Sequence, residues 1–169
     1  NLLNPEVLNV KLDIDVSKEI SVGWNWMSLN VLNDNMSLDS VFSSVGNSAE
    51  FIKNQSLYAD YYDGFGWFGT LTEVDNISMY KLKTIEDVIF SFSGFPTQVD
   101  EVLFDLNAGF NWIGYTPQLS WNLDTALSNI PSGSAEFIKS QSFYADYYND
   151  FGWFGTLESM DPLLGYIIS

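Results

Sequence analysis

The sequence predicts a β-rich α+β fold built from two tandem, pseudo-equivalent units, each with several strands and one short helix. Three observations predict it. One long segment occurs twice, many short segments are rich in β-branched and aromatic residues, and only one short stretch per copy has a helical apolar period. Hydrophobic residues make up 46% of the 169 residues and aromatic residues 17%, which is enough for a packed core.

The duplication organises the chain. Residues 48–71 (SAEFIKNQSLYADYYDGFGWFGTL) return at 134–157 after a shift of 86 residues, and only four of the 24 positions differ. The GWNW stretch at 23–26 falls on GFNW at 109–112 at the same shift. Internal repetition of this kind is typical of tandem units. We therefore expect unit one at 1–83 with a leading strand, and unit two at 84–169 with leading strands.

Each unit has the same predicted elements in the same order. A strand (GWNWMSL or GFNWIGY) is followed by a short helix with Ser37 or Asn122 as N-cap and Gly46 or Pro131 at its end. The segments EFIK, YADYY and GWFGTL are strand-like, and SMYKLK or LGYIIS closes the unit. VLNVKLDIDV, DVIFSFSG and EVLFDL are predicted leading strands, so structured strands rather than a flexible linker join the units.

Strand alternation predicts which side chains of YADYY are exposed. Tyr58, Asp60 and Tyr62 share one face of the strand. An acid between two tyrosines indicates an exposed face, so Tyr61 and, in the second copy, Tyr147 are predicted to lie in the core. The tryptophans of the GWNW and GFNW stretches, at positions 24, 26 and 112, are also predicted to be core, because these stretches resemble the start of a buried strand.

The charge balance excludes several classes of function. The chain has 22 acidic and 6 basic residues, a net charge of −16, and no arginine, histidine or cysteine. It repels polyanions, which excludes nucleic-acid binding and disfavours anionic membrane surfaces. Ser-His-Asp and Cys-His catalysis, disulfides and zinc-thiolate sites are excluded as well. No apolar run approaches the length of a membrane span.

Paired carboxylates and calcium are the remaining chemistries to weigh. Asp60 with Asp63, or Asp146 with Asp150, are the nearest carboxylate pairs for glycoside hydrolysis. Solvated, turn-forming acids explain them better, and duplication favours a binding module over an enzyme, so we expect no catalysis and no cofactor. The same acids and residues 33–35 could instead hold a structural calcium ion or form Asx-turns; both interpretations stay open.

The repeated aromatic and acidic residues indicate carbohydrate recognition. Sugar faces stack on aromatic rings, while carboxylates accept hydrogen bonds from the hydroxyls. Packing in the core and contact with a ligand are both open for the two tryptophans of the GWFG segments. The predicted ligand-binding residues are Tyr58, Asp60, Trp67, Tyr144, Asp146 and Trp153.

The order GWNWxSL, a short Leu-rich helix, FIKSQxxFAxY, GWxGxL and GY resembles a repeat module of large secreted or cell-surface proteins of Bacteroidetes and other mostly marine microbes. The resemblance covers roughly residues 20–83 and 106–169. The family's last turn often has the pattern Pro-Gly-x-Gly-Tyr; here residues 161–166 are DPLLGY, and residues 75–80 are DNISMY. The family has no established catalytic role, so the resemblance implies a location and a type of module.

Together these observations predict a non-catalytic binding or adhesion module of a larger extracellular or cell-surface protein. The chain begins at Asn1 and ends in a strand-like LLGYIIS, which indicates a segment of a longer polypeptide. Glycans are the favoured ligand class, and a surface protein is the other expected partner. The alternative is a purely structural spacer repeat with no small-molecule ligand. Exposed tryptophans in the GWFG segments would favour binding, and buried ones would favour the spacer.

Overall fold

The computed structural model describes residues 12–169, apart from the Glu101 side chain. This part of the chain contains fifteen short strands and two one-turn α-helices, and all the strand pairs are antiparallel. The β-rich fold with two short helices is therefore confirmed. The strands are β1 (Ile14–Ile20), β2 (Gly23–Met27), β3 (Val31–Leu32), β4 (Ala49–Lys53), β5 (Tyr58–Tyr62), β6 (Gly66–Gly69), β7 (Tyr80–Thr84), β8 (Val88–Pro96), β9 (Asn111–Gly114), β10 (Trp121–Asn122), β11 (Phe137–Lys139), β12 (Tyr144–Tyr148), β13 (Gly152–Gly155), β14 (Ser159–Met160) and β15 (Gly165–Ile168). The helices are α1 (Leu38–Val41) and α2 (Leu123–Ala126).

Two five-stranded sheets form the bulk of the fold. Their strand orders are β2-β7-β4-β5-β6 and β9-β15-β11-β12-β13. At a shift of 86 residues, each strand of the first sheet corresponds to the strand at the same place in the second. The registers agree as well, since Asp60 stands opposite Phe68 in one sheet and Asp146 stands opposite Phe154 in the other.

A smaller sheet, β1-β8-β3, and a two-stranded pair, β10-β14, complete the fold. The predicted strand DVIFSFSG is confirmed as β8, which pairs with β1 and β3 although it lies beyond the expected unit boundary at residue 83. The predicted strand EVLFDL, at 101–106, is wrong: Leu103 and Phe104 are exposed, and no strand edge pairs with this segment. The predicted strand VLNVKLDIDV begins outside the described residues, and β1 starts at Ile14.

Both helix N-caps are confirmed. The Ser37 hydroxyl accepts a hydrogen bond from the Ser40 N–H at 3.4 Å, and the Asn122 side chain accepts one from the Thr125 N–H at 2.9 Å. These bonds satisfy N–H groups that have no partner within the helix. Each helix is a single turn, and the chain continues in turns toward the predicted stops at Gly46 and Pro131.

Each five-stranded sheet covers its own hydrophobic core. Ile52 and Leu82 lie at the centre of the first core, while Ile138 and Tyr166 lie in the second. A smaller cluster joins Val16 and Val31 to Leu163 from the far end of the sequence. Within residues 12–169, no helix has both the length and the apolar character that a membrane span requires.

Candidate binding surface

The outer face of the first five-stranded sheet carries the predicted exposed residues of β5. Tyr58 and Tyr62 are 49% and 54% exposed, and Asp60 between them is half-buried. On the other face of the strand, Ala59 is buried and Tyr61 packs against the core. The prediction from strand alternation is therefore confirmed, and the second copy has the same burial pattern from Tyr144 to Tyr148.

Trp67 lies on the opposite face of the sheet from Tyr58 and Asp60. It stands opposite Tyr61 in the strand register, and its ring centroid is 5.2 Å from that of Tyr61 and 6.1 Å from that of Phe42. Trp67 therefore packs against the core, which was one of its two predicted roles. The predicted set Tyr58, Asp60 and Trp67 is thus not brought together.

The second copy repeats this separation. Trp153 stands opposite Tyr147, packs against the second core, and lies on the face away from Tyr144 and Asp146. Its edge lines a cleft of about 280 Å³ together with Asp124 and Tyr147. A ligand contact at Trp153 would therefore use a different face from a contact at Tyr144.

Phe68 and Phe154 are surface residues that the sequence analysis missed. Phe68 stands opposite Asp60, is 54% exposed and contacts Tyr62 with ring centroids 5.7 Å apart. Phe154 makes the same contact with Tyr148 at 6.0 Å. Strand alternation was the signal that could have found them, because in Gly-Trp-Phe-Gly an inward tryptophan requires an outward phenylalanine.

Aromatic rings extend across the outer face from strand to strand. Phe51 stacks on Tyr58 with centroids 5.9 Å apart and planes at 13°, and its other neighbour is Trp24 at 5.9 Å. In the second sheet Phe137 stacks on Tyr144 at 6.2 Å. We call these faces the outer aromatic surfaces; their members are Trp24, Phe51, Tyr58, Asp60, Tyr62 and Phe68 in the first sheet, and Phe137, Tyr144, Asp146, Tyr148 and Phe154 in the second.

The prediction that the GWNW and GFNW tryptophans lie in the core is wrong. Trp24 is 44% exposed, and Trp26 and Trp112 are half-buried on the outer side. Asn25 and Met27 take the inward positions of β2 instead. Asn25 can be buried because its amide donates hydrogen bonds to the Ser21 and Gly23 carbonyls and its Oδ1 accepts one from the Ser21 N–H, which satisfies its polar atoms.

The edge strand β9 of the second sheet is bonded to the first sheet by a glutamine. Gln55 Oε1 accepts a hydrogen bond from the Trp112 N–H at 2.8 Å, and Gln55 Nε2 donates one to the Phe110 carbonyl at 2.9 Å. Both backbone groups belong to the outer edge of β9, where residues 77–79 also pair through the bridge between Ser78 and Ile113, so the side chain extends the pairing of this edge.

The reciprocal contact joins β2 to the second sheet. Gln141 Oε1 accepts a hydrogen bond from the Trp26 N–H at 2.8 Å, and its Nε2 donates one to the Trp24 carbonyl at 2.7 Å. Gln141 corresponds to Gln55 at the shift of 86 residues. We call the region where β2 and β9 meet in this way the junction.

Corresponding residues face each other within the junction. A Cβ added at Gly114 would lie 3.1 Å from the Ser28 Cβ, and one added at Gly165 would overlap Met79 Cγ. The Ser28 N–H donates to the Leu163 carbonyl at 3.1 Å, and the Gly114 N–H makes the equivalent bond at 2.7 Å. Contacts between like positions are the mark of a two-fold arrangement.

Three lysines meet two tryptophans at the junction. Lys81 Nζ is 4.2 Å from the ring centroids of both Trp26 and Trp112. Lys53 lies 5.1 Å from the Trp112 centroid, and Lys139 lies 5.1 Å from that of Trp26. Burial, and then the positive charges of Lys53 and Lys139, lower the pKa of Lys81.

The acids considered for calcium do not form a cluster. Within residues 12–169, no three His, Cys, Asp or Glu side chains gather in a way that could hold a metal ion. Asn33 and Asn35 form Asx-turns, accepting hydrogen bonds from the N–H groups of Asn35 and Ser37 at 3.4 and 3.1 Å. A structural calcium ion remains a hypothesis without a site assigned to it.

Comparison with protein-family models, with curated proteins and with solved structures finds no match to this chain. Fold alone does not define an activity in any case. The function is therefore argued from the outer aromatic surfaces and the junction.

Proposed function

We propose that the chain is a non-catalytic binding or adhesion module of a larger extracellular protein, and that it binds glycans through its outer aromatic surfaces. The observation that carries the proposal is the exposed group of aromatic rings around one carboxylate, present on both five-stranded sheets. Contiguous exposed apolar surface is unusual on a protein with no partner. Rings that surround an acceptor match the alternating apolar and hydroxyl faces of a sugar.

The chemistry can be assigned to named residues. In the first sheet, the stacked rings of Phe51 and Tyr58 offer a flat apolar face to the CH groups of a pyranose. Asp60, half-buried beside them, accepts hydrogen bonds from the sugar hydroxyls. Tyr144 and Asp146 have the same roles in the second sheet. Trp67 and Trp153 pack against the cores on the opposite faces of the two sheets.

The duplication supports glycan binding because it provides two sites on one chain. We take 1–83 and 84–169 as two tandem repeat units, each presenting one outer aromatic surface. Two weak sites on a rigid body raise the overall affinity for a repeating polymer, because the second contact is intramolecular once the first is made. A polysaccharide is a ligand of this kind.

The proposed location is extracellular or on a cell surface. The resemblance to repeat modules of secreted and surface proteins supports it, as does the net charge of −16, which favours solubility in salt water. Partners other than a glycan would be sought among proteins of the same surface.

A structural spacer is the second candidate. The observation that favours it is the inward packing of Trp67 and Trp153 against the two cores. The two-fold junction argues against a continuous spacer array, however. Each sheet uses its β2 or β9 edge in this contact, so the contact closes on itself and cannot be repeated to a third unit.

A glycan array is the direct test. The chain is screened on neutral and acidic polysaccharides, with calcium and with EDTA, beside the double variant Tyr58→Ala/Tyr144→Ala. We expect specific binding that this variant weakens at least about tenfold, because a stacking contact of about 0.5–1.5 kcal/mol is removed from each sheet. Ile89→Ala, which removes an exposed apolar side chain of β8 outside the surface, is the matched control and should bind normally. A blank array from folded protein supports the spacer instead.

A further inference from the structure

Positive charge is concentrated at the junction of an otherwise strongly acidic chain. Five lysines lie within residues 12–169, and three of them, Lys53, Lys81 and Lys139, approach the same pair of tryptophan rings. Lys53 and Lys81 stand opposite each other on β4 and β7 of the first sheet, and the meeting of the two sheets adds Lys139 from β11. Like charges at this spacing repel each other.

No carboxylate neutralises this cluster within the described part of the chain. There the one ion pair joins Lys83 to Glu50 at 2.7 Å, whereas Lys53, Lys81 and Lys139 have none. Contact with tryptophan faces stabilises an ammonium group by only about 0.5–1 kcal/mol at exposed sites. The arrangement therefore retains an uncompensated positive site that an external anion would satisfy.

The strand registers place this cluster beside the outer aromatic surfaces. Lys53 stands opposite Tyr58 on one side and opposite Lys81 on the other. Lys139 stands opposite Tyr144. Side chains in directly opposed positions lie about 5 Å apart at Cβ, so each proposed sugar-stacking tyrosine is the immediate neighbour of a lysine of the cluster.

A cleft is already formed on the second-sheet side. It measures about 330 Å³ and is lined by Lys139, Gln141, Phe137 and Tyr144, among others. This volume is within the range of small-ligand sites. Its walls combine the stacked pair of rings with one lysine and with the glutamine that bonds β2.

From this geometry we propose that the junction binds the anionic substituent of a saccharide, a sulfate ester or a carboxylate, whose ring stacks on Tyr58 or Tyr144. The three ammonium groups of Lys53, Lys81 and Lys139 hold the anion by charge-assisted hydrogen bonds. The inference rests on the proposed glycan binding and names the class of glycan. The surrounding acidic surface repels anions generally, so binding requires a ligand that places its charge at this cluster.

The test is titration calorimetry on the whole chain at a fixed salt concentration. The probes are a sulfated galactan oligosaccharide, the same oligosaccharide after desulfation, and an oligouronate. We expect at least one anionic probe to bind about tenfold or more tightly than the neutral one. Comparison of the sulfated and uronate probes identifies the favoured anion.

Lysine variants test whether the preference for anionic probes depends on the lysine cluster. Lys81→Gln, and separately Lys53→Gln with Lys139→Gln, should reduce the anionic preference to within about twofold of the neutral probe. Lys18→Gln is the matched control, since Lys18 lies on β1 in the smaller sheet, outside both five-stranded sheets; it should keep the preference. Thermal unfolding of each variant verifies folding, and the Lys53/Lys139 variant keeps the test valid if Lys81→Gln does not fold.

The outcomes separate the two proposals. Equal binding of charged and neutral probes, or a preference that the lysine variants retain, overturns the anion site and leaves glycan binding standing. Loss of stability in the lysine variants with an unchanged anionic preference assigns the cluster to holding the sheets together, and also overturns the inference. If none of the three probes binds folded protein, the anion site fails, and only a neutral ligand from the glycan array would preserve the proposed function.

Discussion

The Trp26 N–H donates a hydrogen bond of 2.8 Å to the side chain of Gln141, a residue 115 positions later in the chain. The same contact is made in reverse between Trp112 and Gln55 at 2.8 Å. Two glutamines at corresponding positions thus bond to the edge strands β2 and β9 of the two five-stranded sheets. Several measurable consequences follow from the junction they form and from the surfaces beside it.

Removal of either glutamine should weaken the junction. Gln55→Ala or Gln141→Ala deletes two hydrogen bonds to an exposed sheet edge, each worth about 0.5–1.5 kcal/mol net. Water replaces part of this, so we expect each variant to lose about 1–2 kcal/mol in urea unfolding. Gln98→Ala, which deletes only a local bond to the Pro96 carbonyl, should unfold like the parent chain. Parental stability in both junction variants would contradict the role given to these side chains.

Gly165 should tolerate no side chain while Met79 faces it. A Cβ at this position overlaps Met79 Cγ and lies 2.8 Å from the Met27 carbonyl oxygen, so Gly165→Ala should cost about 1–3 kcal/mol through overpacking. Met79→Ala removes the overlap with Cγ but also a fully buried side chain, so the double variant should lose less stability than the sum of the two single losses. A double-mutant cycle by chemical unfolding measures this coupling, and a coupling energy of zero would disprove the close contact.

Trp67 and Phe68 are adjacent in sequence, yet substitution of Trp67 should mainly reduce stability, whereas substitution of Phe68 should mainly reduce glycan binding. Trp67 packs inward against Phe42 and Tyr61, so Trp67→Ala should cost about 2–4 kcal/mol of unfolding free energy. Phe68 is 54% exposed, and Phe68→Ala should cost below about 1 kcal/mol while reducing glycan binding. Thermal unfolding and the glycan array, applied to both variants, provide the comparison; similar stability losses would contradict the assignment of faces.

A glycine at position 150, in the hairpin turn between β12 and β13, should increase the stability of the chain. Asp150 has φ of 68°, whereas the corresponding residue of the first copy is Gly64 with φ of 76°. A residue with a side chain is strained in this left-handed region, while glycine is not. We expect Asp150→Gly to stabilise the chain by about 0.5–1 kcal/mol in chemical unfolding, and Gly64→Ala to destabilise it. A gain for Gly64→Ala would be inconsistent with the turn geometry.

Stability should fall as the pH rises above about 10, the ordinary pKa of tyrosine. Burial raises the pKa of Tyr115 to about 12, and it raises the pKa values of Tyr80 and Tyr166 further. Between the unfolded and folded pKa values the native state binds more protons than the unfolded state, so unfolding free energy decreases with pH. Unfolding measured from pH 8 to 12 should show this decrease, and Tyr115→Phe should make it shallower. A stability that is constant over this range would refute the expected ionisation.

The order of the repeated strands and helices was predictable, because it depends on local patterns, whereas the predicted strand at 101–106 was wrong. Period-two alternation in YADYY assigned Tyr58 and Asp60 to the exposed face, and the side-chain oxygens of Ser37 and Asn122 marked the helix starts. The prediction for the GWNW tryptophans was wrong because the resemblance of this stretch to the start of a buried strand does not show which of its residues face inward. Asn25 satisfies its own amide within the preceding turn, which lets a polar residue take the inward place and turns Trp24 outward.

By itself, the sequence determined the duplication, the β-rich class, the acidic character and the alternating faces of the repeated strands, since each depends on composition or on neighbours within a few residues. Only the tertiary structure decided that Trp67 packs inward, that Phe68 stands beside Asp60, and that Lys53, Lys81 and Lys139 share two tryptophan rings. The lysine–tryptophan contacts join strands far apart in the chain, so the approach of the two sheets determines them. The other two relationships lie within the β5–β6 hairpin; strand alternation separates Trp67 from Phe68, but packing of the sheet on its core decides which of them faces inward.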